Sequence, residues 1–109
     1  MLKLKFIIII YCWTMSVVSQ DLIINEFMSS NQNTILDQDG NSPDWIEIYN
    51  ASNVFLNLSD FYLSDDPDSL KKWNFPSINL QPSQFLLIYC SGEDLSNGSE
   101  LHTNFKIQQ

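Results

Sequence analysis

The side chains able to do chemistry are few and mostly acidic. Asp37-Gln38-Asp39-Gly40-Asn41-Ser42-Pro43-Asp44 sets oxygen donors at alternating positions, with a glycine for a sharp turn. Hard oxygens at that spacing suit a hard cation, and the stretch is similar to the opening of a calcium loop. Asp37, Asp39, Asn41 and Asp44 are therefore the candidate calcium ligands. The loop departs from an EF-hand, because the twelfth position counted from Asp37 is Ile48, an apolar residue where a bidentate glutamate belongs. A solvated Asp-Gly turn explains the same residues without a metal, and no other cofactor is implied. A second acidic group, Asp65, Asp66 and Asp68, stands just before Lys71 and Lys72. Charge pairing within a turn is the expectation there.

Catalytic constellations are thinner still. Glu26 and Glu47 both fall in strand-like runs, but a carboxylate pair needs a fixed separation across a cleft. A domain of this size rarely builds that cleft, and alternation turns Glu47 to solvent. His102 is the single histidine. Beside Thr103 and Asn104, it is expected to pin a loop by hydrogen bonding. Cys90 ends an apolar run and reads as a small buried hydrophobe. Zinc spacings, phosphate loops and nucleophile elbows are not found. No catalytic residue is assigned, and the chain is read as no enzyme. Among the aromatics, Trp73 and Tyr62 are candidates for an exposed platform on which a sugar could stack, against core packing as the commoner use. Asn50-Ala51-Ser52, Asn57-Leu58-Ser59 and Asn97-Gly98-Ser99 fit the N-glycosylation pattern.

The elements that must hold these residues begin after an N-terminal leader. Lys3 and Lys5 precede an apolar stretch, Phe6 to Trp13, which contains four consecutive isoleucines. A permanent span takes about 20 apolar residues, so this stretch is too short to remain in a bilayer. Small and polar residues follow, with Val17 and Ser19 placed at −3 and −1 of a cut before Gln20. This order marks residues 1–19 as a secretory signal peptide and residues 20–109 as the mature domain. Stable membrane insertion after cleavage is not expected, and the location predicted is extracellular or at the cell surface.

Cleavage sharpens the charge. Three lysines stay with all thirteen acids, leaving the mature chain at −10. Such a field repels phosphate backbones, so nucleic acid is excluded as a partner class, and bare anionic lipid is a poor one. With Cys12 gone, Cys90 has no intramolecular disulfide partner.

In the mature chain, short apolar runs alternate with turn chemistry. Candidate strands are Leu22–Met28, Trp45–Asn50, a run in which Val54, Leu56 and Leu58 share a face, and one in which Phe61 and Leu63 do. Ile78–Leu80, Phe85–Cys90 and, weakly, Asn104–Ile107 follow. Phe85–Cys90 is apolar on both sides, which predicts a central strand covered on both faces. Asp39-Gly40, Ser42-Pro43, Asp66-Pro67, Gln81-Pro82 and Asn97-Gly98 punctuate these runs. The pattern predicts an all-β domain, a sandwich or barrel.

Several blocks are more specific. Leu22–Met28, Asp37-Gln-Asp-Gly and Pro43-Asp-Trp-Ile-Glu-Ile-Tyr-Asn50 are followed by Leu58-Ser-Asp-Phe-Tyr-Leu-Ser-Asp-Asp66 and Trp73-Asn-Phe-Pro76. Phe85–Tyr89 and Leu101-His-Thr-Asn-Phe-Lys-Ile107 complete the order. Together they resemble the lamin-tail domain in its bacterial extracellular form, across nearly all of residues 22–107. The resemblance implies an immunoglobulin-like β-sandwich that binds or scaffolds rather than catalyses. An extracellular protein or glycan is the implied partner. A sugar-binding module and a calcium-stabilised structural domain are the alternatives. Lamin-tail domains normally continue past the block ending at Ile107, so the chain is expected to be C-terminally incomplete and part of a larger surface or secreted protein.

Overall fold

Alternation in Trp45-Ile46-Glu47-Ile48-Tyr49-Asn50 makes a strand with one wholly buried face, and the best-developed sheet is built around it. The computed structural model describes residues 9–12, 21–29, 35–96 and 98–107. Its strands are β1 (Ile9–Cys12), β2 (Leu22–Met28), β3 (Trp45–Asn50), β4 (Leu56–Asn57), β5 (Phe61–Ser64), β6 (Trp73–Asn74), β7 (Asn79–Leu80) and β8 (Phe85–Tyr89). They form antiparallel sheets in the orders β2-β3-β8, β1-β5-β6 and β4-β7. The expected all-β class is what the structure shows.

Side chains from the two three-stranded sheets meet in one core. Leu22, Ile46, Ile48 and Ile88 enter it from β2, β3 and β8, while Phe61, Leu63 and Trp73 enter from β5 and β6. Phe75, Leu80 and Leu101 fill between them. Each fully buried aliphatic contributes about 1.5–3 kcal/mol relative to exposure. The two sheets therefore pack face to face as a sandwich.

Three strand expectations are corrected. Val54 lies exposed in the loop after β3, and only Leu56 and Asn57 form β4. The run breaks because Asn57 Oδ1 accepts the Ser59 N–H at 2.9 Å, capping a 3₁₀ turn over Leu58–Asp60. β8 is not central either. β3 takes the middle position, and Phe85 is 48% exposed. Beyond Tyr89 the chain is flanked by residues 101–103, through Tyr89 N–H to Leu101 O and Thr103 N–H to Tyr89 O, each 2.9 Å. Asn104–Ile107 forms no strand, although Lys106 bridges Ser91.

The structure also places four residues of the expected leader in a strand. Ile9–Cys12 lies antiparallel along β5, in the register Ile10↔Leu63 and Tyr11↔Tyr62. The expected cleavage site, Val17 to Gln20, lies outside the described residues. No helix among the described residues is long and apolar enough to cross a membrane.

Candidate interaction face

Asp37 spends its carboxylate on its own backbone. Oδ1 accepts N–H groups from Asp39 at 3.0 Å and Asn41 at 2.9 Å, while Gly40 N–H reaches the Asp37 carbonyl at 3.0 Å. Gly40 supplies the positive φ, +83°, that this tight turn requires. Among the described residues no three His, Cys, Asp or Glu side chains converge in a way that could hold a metal ion. Asp37, Asp39 and Asn41 thus share one hydrogen-bonded turn, while Asp44 lies beyond it, its carbonyl accepting the Cys90 N–H at 2.7 Å. The second acidic group does pair locally. Lys72 Nζ lies 2.7 Å from Asp65 Oδ1, and Asp66 Oδ1 accepts the Asp68 N–H.

Beside the Asp37 turn is an open cleft of about 380 Å³, lined by Asp44, Ser91, Glu93, Lys106 and Cys90. Burial pushes the Cys90 thiol up to about 12, helped by Asp44 and Asp65 and opposed by a hydrogen bond with Thr103. A thiol held protonated is a poor nucleophile. Alkylation of Cys90 by iodoacetamide, followed by peptide mapping, is expected to stay negligible in the native protein from pH 7 to 10. Denaturant should restore ordinary thiol reactivity. The folded form holds this proton more tightly than the unfolded form, whose thiol titrates near its ordinary value of 9.0. Stability therefore declines as pH rises above about 9.

His102 pins a loop, as its sequence context suggests. The ring is buried, with Nδ1 2.8 Å from Ser91 Oγ and Nε2 3.2 Å from Glu100 Oε1. Glu93 Oε1 stands 3.5 Å from Nδ1, and the ring stacks on Tyr89 at 5.1 Å. Ser91 and Glu93 reach the ring only through the pairing of residues 89–95 with 101–106, while Glu100 stands two residues before it in the chain. Ser91 Oγ also accepts the Glu93 N–H at 3.1 Å, so its lone pair serves the turn.

Trp73 does not offer the open ring face that a sugar platform needs. Trp73 is 4% exposed, with Nε1 donating to Asp94 Oδ1 at 3.2 Å and its ring edge-on to Phe75. A ring so enclosed has no face to offer. Tyr62 is half-buried, with the Tyr11 ring at 6.1 Å and Lys71 Nζ at 5.7 Å from its centroid. Glu26 and Glu47 are register partners across β2 and β3, and Glu47 Oε1 accepts from Asn25 Nδ2 at 2.9 Å. Of the sequons, Asn50 is fully buried, Asn57 is exposed but caps its turn, and Asn97 lies outside the described residues.

Apolar surface is exposed elsewhere, on the outer face of the β2-β3-β8 sheet. Register sets Ile23 opposite Tyr49 and Tyr49 opposite Phe85, one row across three strands. Tyr49 and Phe85 contact each other at 4.5 Å with planes tilted by 37°. Ile23 is 37% exposed, and the loop leaving this end of β3 exposes Val54 and Phe55 as well. The signal for this row was present in the sequence, because Phe85–Tyr89 is apolar on both sides. That pattern marks either a covered strand or an interaction face.

The lamin tail domain family model matches residues 16–109. The chain belongs to the lamin-tail domain family. No curated protein and no solved structure matches it. Lamin-tail domains are immunoglobulin-like and non-catalytic, which accords with the two packed sheets and with a buried, bonded histidine. In this lamin-tail domain the row Ile23–Tyr49–Phe85 places two exposed apolar side chains, Ile23 and Phe85, on the outer face of one sheet.

Proposed function

We propose that this lamin-tail domain is an extracellular, non-catalytic interaction module that docks a protein partner through the outer face of the β2-β3-β8 sheet. The observation that carries the reading is the row Ile23–Tyr49–Phe85, which spans all three strands with Ile23 and Phe85 exposed and Tyr49 half-buried between them. Aromatic and aliphatic side chains that are open on a rigid sheet make binding anchors, because little conformational freedom is lost on docking. Location outside the cytoplasm is supported by the order of charge, apolar run and small residues in 1–19, and the −10 charge of residues 20–109 disfavours nucleic acid.

The test is retention of extracellular protein by immobilised chain, compared with an Ile23→Ser, Phe85→Ser double variant. Both side chains are exposed, so the variant's melting temperature should stay close to that of the parent. Retention at least tenfold lower is expected for the variant. Equal retention by the two would overturn the reading.

A further inference from the structure

One row along from Ile23–Tyr49–Phe85, the outer face of the β2-β3-β8 sheet changes character. Register sets Glu26 opposite Glu47 and Glu47 opposite Leu87, so two carboxylates stand side by side on adjacent strands. Glu47 alternates with the buried Ile46 and Ile48, which turns it to the same side as Tyr49. Glu26 is exposed and Glu47 half-buried. Like charges directly opposite each other in a sheet repel. Relief within the domain is partial. Glu47 Oε1 accepts from Asn25 Nδ2 at 2.9 Å, and among the described residues no lysine pairs with either glutamate. Lys72 is taken by Asp65 at 2.7 Å, Lys71 stands 5.7 Å from the Tyr62 ring centroid, and Lys106 lines the cleft beside the Asp37 turn.

We infer that this carboxylate pair selects a protein partner that presents an arginine next to its apolar anchor. The inference rests on docking through the outer face, as proposed above, and adds the partner's charge to it. A guanidinium carries its donors in a planar fork, so one side chain reaches both carboxylates while its flat face packs on an aromatic neighbour such as Tyr49. Lysine brings the same charge as a point and fits less well. An acidic segment is repelled. The spacing follows from the sheet. Glu47 and Tyr49 are two residues apart on β3, roughly 7 Å at the rise of a strand. An extended segment presents its own side chains on one face at the same interval, so one residue separates its arginine from its anchor. Tyr49 and Leu87 flank Glu47, and a segment docked over them shields the ion pair from salt.

The experiment measures fluorescence anisotropy of short labelled serine-based peptides with the full chain. Each peptide holds a tryptophan two positions after an arginine, a serine or a glutamate. The salt is set at about 0.15 M, where charges more than about 8 Å apart are largely screened. The arginine peptide is expected to bind at least tenfold more tightly than the serine peptide, and the glutamate peptide more weakly than either. A Glu26→Gln, Glu47→Gln double variant should bind the arginine and serine peptides alike. It should also melt at or above the parent's temperature, because glutamine keeps the acceptor for Asn25 while the repulsion is removed. Equal affinity of the parent for the arginine and serine peptides, still lost in the Ile23→Ser, Phe85→Ser variant, overturns the selection for arginine and leaves outer-face docking standing. An arginine preference that survives in the double glutamine variant assigns it to the general negative field and overturns the role of the pair. Arginine-peptide binding unchanged by Ile23→Ser, Phe85→Ser removes outer-face docking, and the inference falls with it. A parent chain that ignores all three peptides overturns the inference.

Discussion

Phe75→Ala is expected to cost about 3–5 kcal/mol, a large share of the stability of a domain of this size. Phe75 is 1% exposed, and its ring meets Trp73 edge-to-face with centroids 5.2 Å apart. Two terms add. Transfer of the lost ring atoms to water is one, and the cavity left between the sheets is the other, because close-packed neighbours relax only partly. Loss of the edge-to-face pair removes about 0.5–1.5 kcal/mol within that total. A domain of this size has roughly 5–10 kcal/mol in all, so the variant sits near the threshold. Urea titration followed by tryptophan fluorescence checks it. A midpoint within experimental error of the parent would show that Phe75 does not join the two sheets.

Asn50→Asp is expected to cost a similar amount, about 3–5 kcal/mol at pH 7, by a different route. Asn50 is fully buried at the end of β3. Its Nδ2 donates to Val54 O and Leu80 O, both at 2.9 Å, and its Oδ1 accepts from Ser52 N and Ser52 Oγ at 2.9 and 2.7 Å. One side chain therefore holds the 51–55 loop to β3 and β3 to the β7 strand. Aspartate keeps the accepting half but replaces two donated hydrogens with a charged oxygen facing two carbonyls. Burial beside those carbonyls raises the carboxyl above its ordinary value in the folded state. Stability of the variant is therefore greatest at low pH, below the unfolded carboxyl value, and is lost as pH rises. Denaturant midpoints at pH 4 and pH 7 measure this. A variant more stable at pH 7 than at pH 4, relative to the parent, would contradict the assignment of donors.

The longer strands were legible because their information is local. Trp45–Asn50 alternates, and a register partner on each side follows from it. The Asp37–Gly40 turn was legible as a turn for the same reason, since an Asx side chain reaching N–H groups two and four residues on needs no distant help. The two N–H groups that Asp37 Oδ1 accepts are what a solvated Asp-Gly turn, weighed beside the calcium loop, calls for. Trp73 stayed open between core and platform because β6 is two residues long, too short for alternation to tell inside from outside. Asn50 read as a glycosylation acceptor because its decisive bond, to Leu80 O, crosses 30 residues of sequence. Likewise, the contacts of His102 with Ser91 and Glu93 depend on two irregular segments meeting, which carry no periodicity. β8 shows how one pattern has two outcomes. An apolar outer face was read as covered, whereas the structure leaves Phe85 open beside Tyr49.

That open row is the centre of the functional account, and site-specific photo-crosslinking reads it directly. A p-benzoylphenylalanine at position 85 places the reactive ring in the row, and the same group at Asp68, an exposed turn residue, serves as reference. On irradiation with extracellular protein, a discrete adduct from position 85 and none from position 68 is the expected result. An adduct from position 68 alone, or from neither position, would contradict docking on the outer face of the β2-β3-β8 sheet.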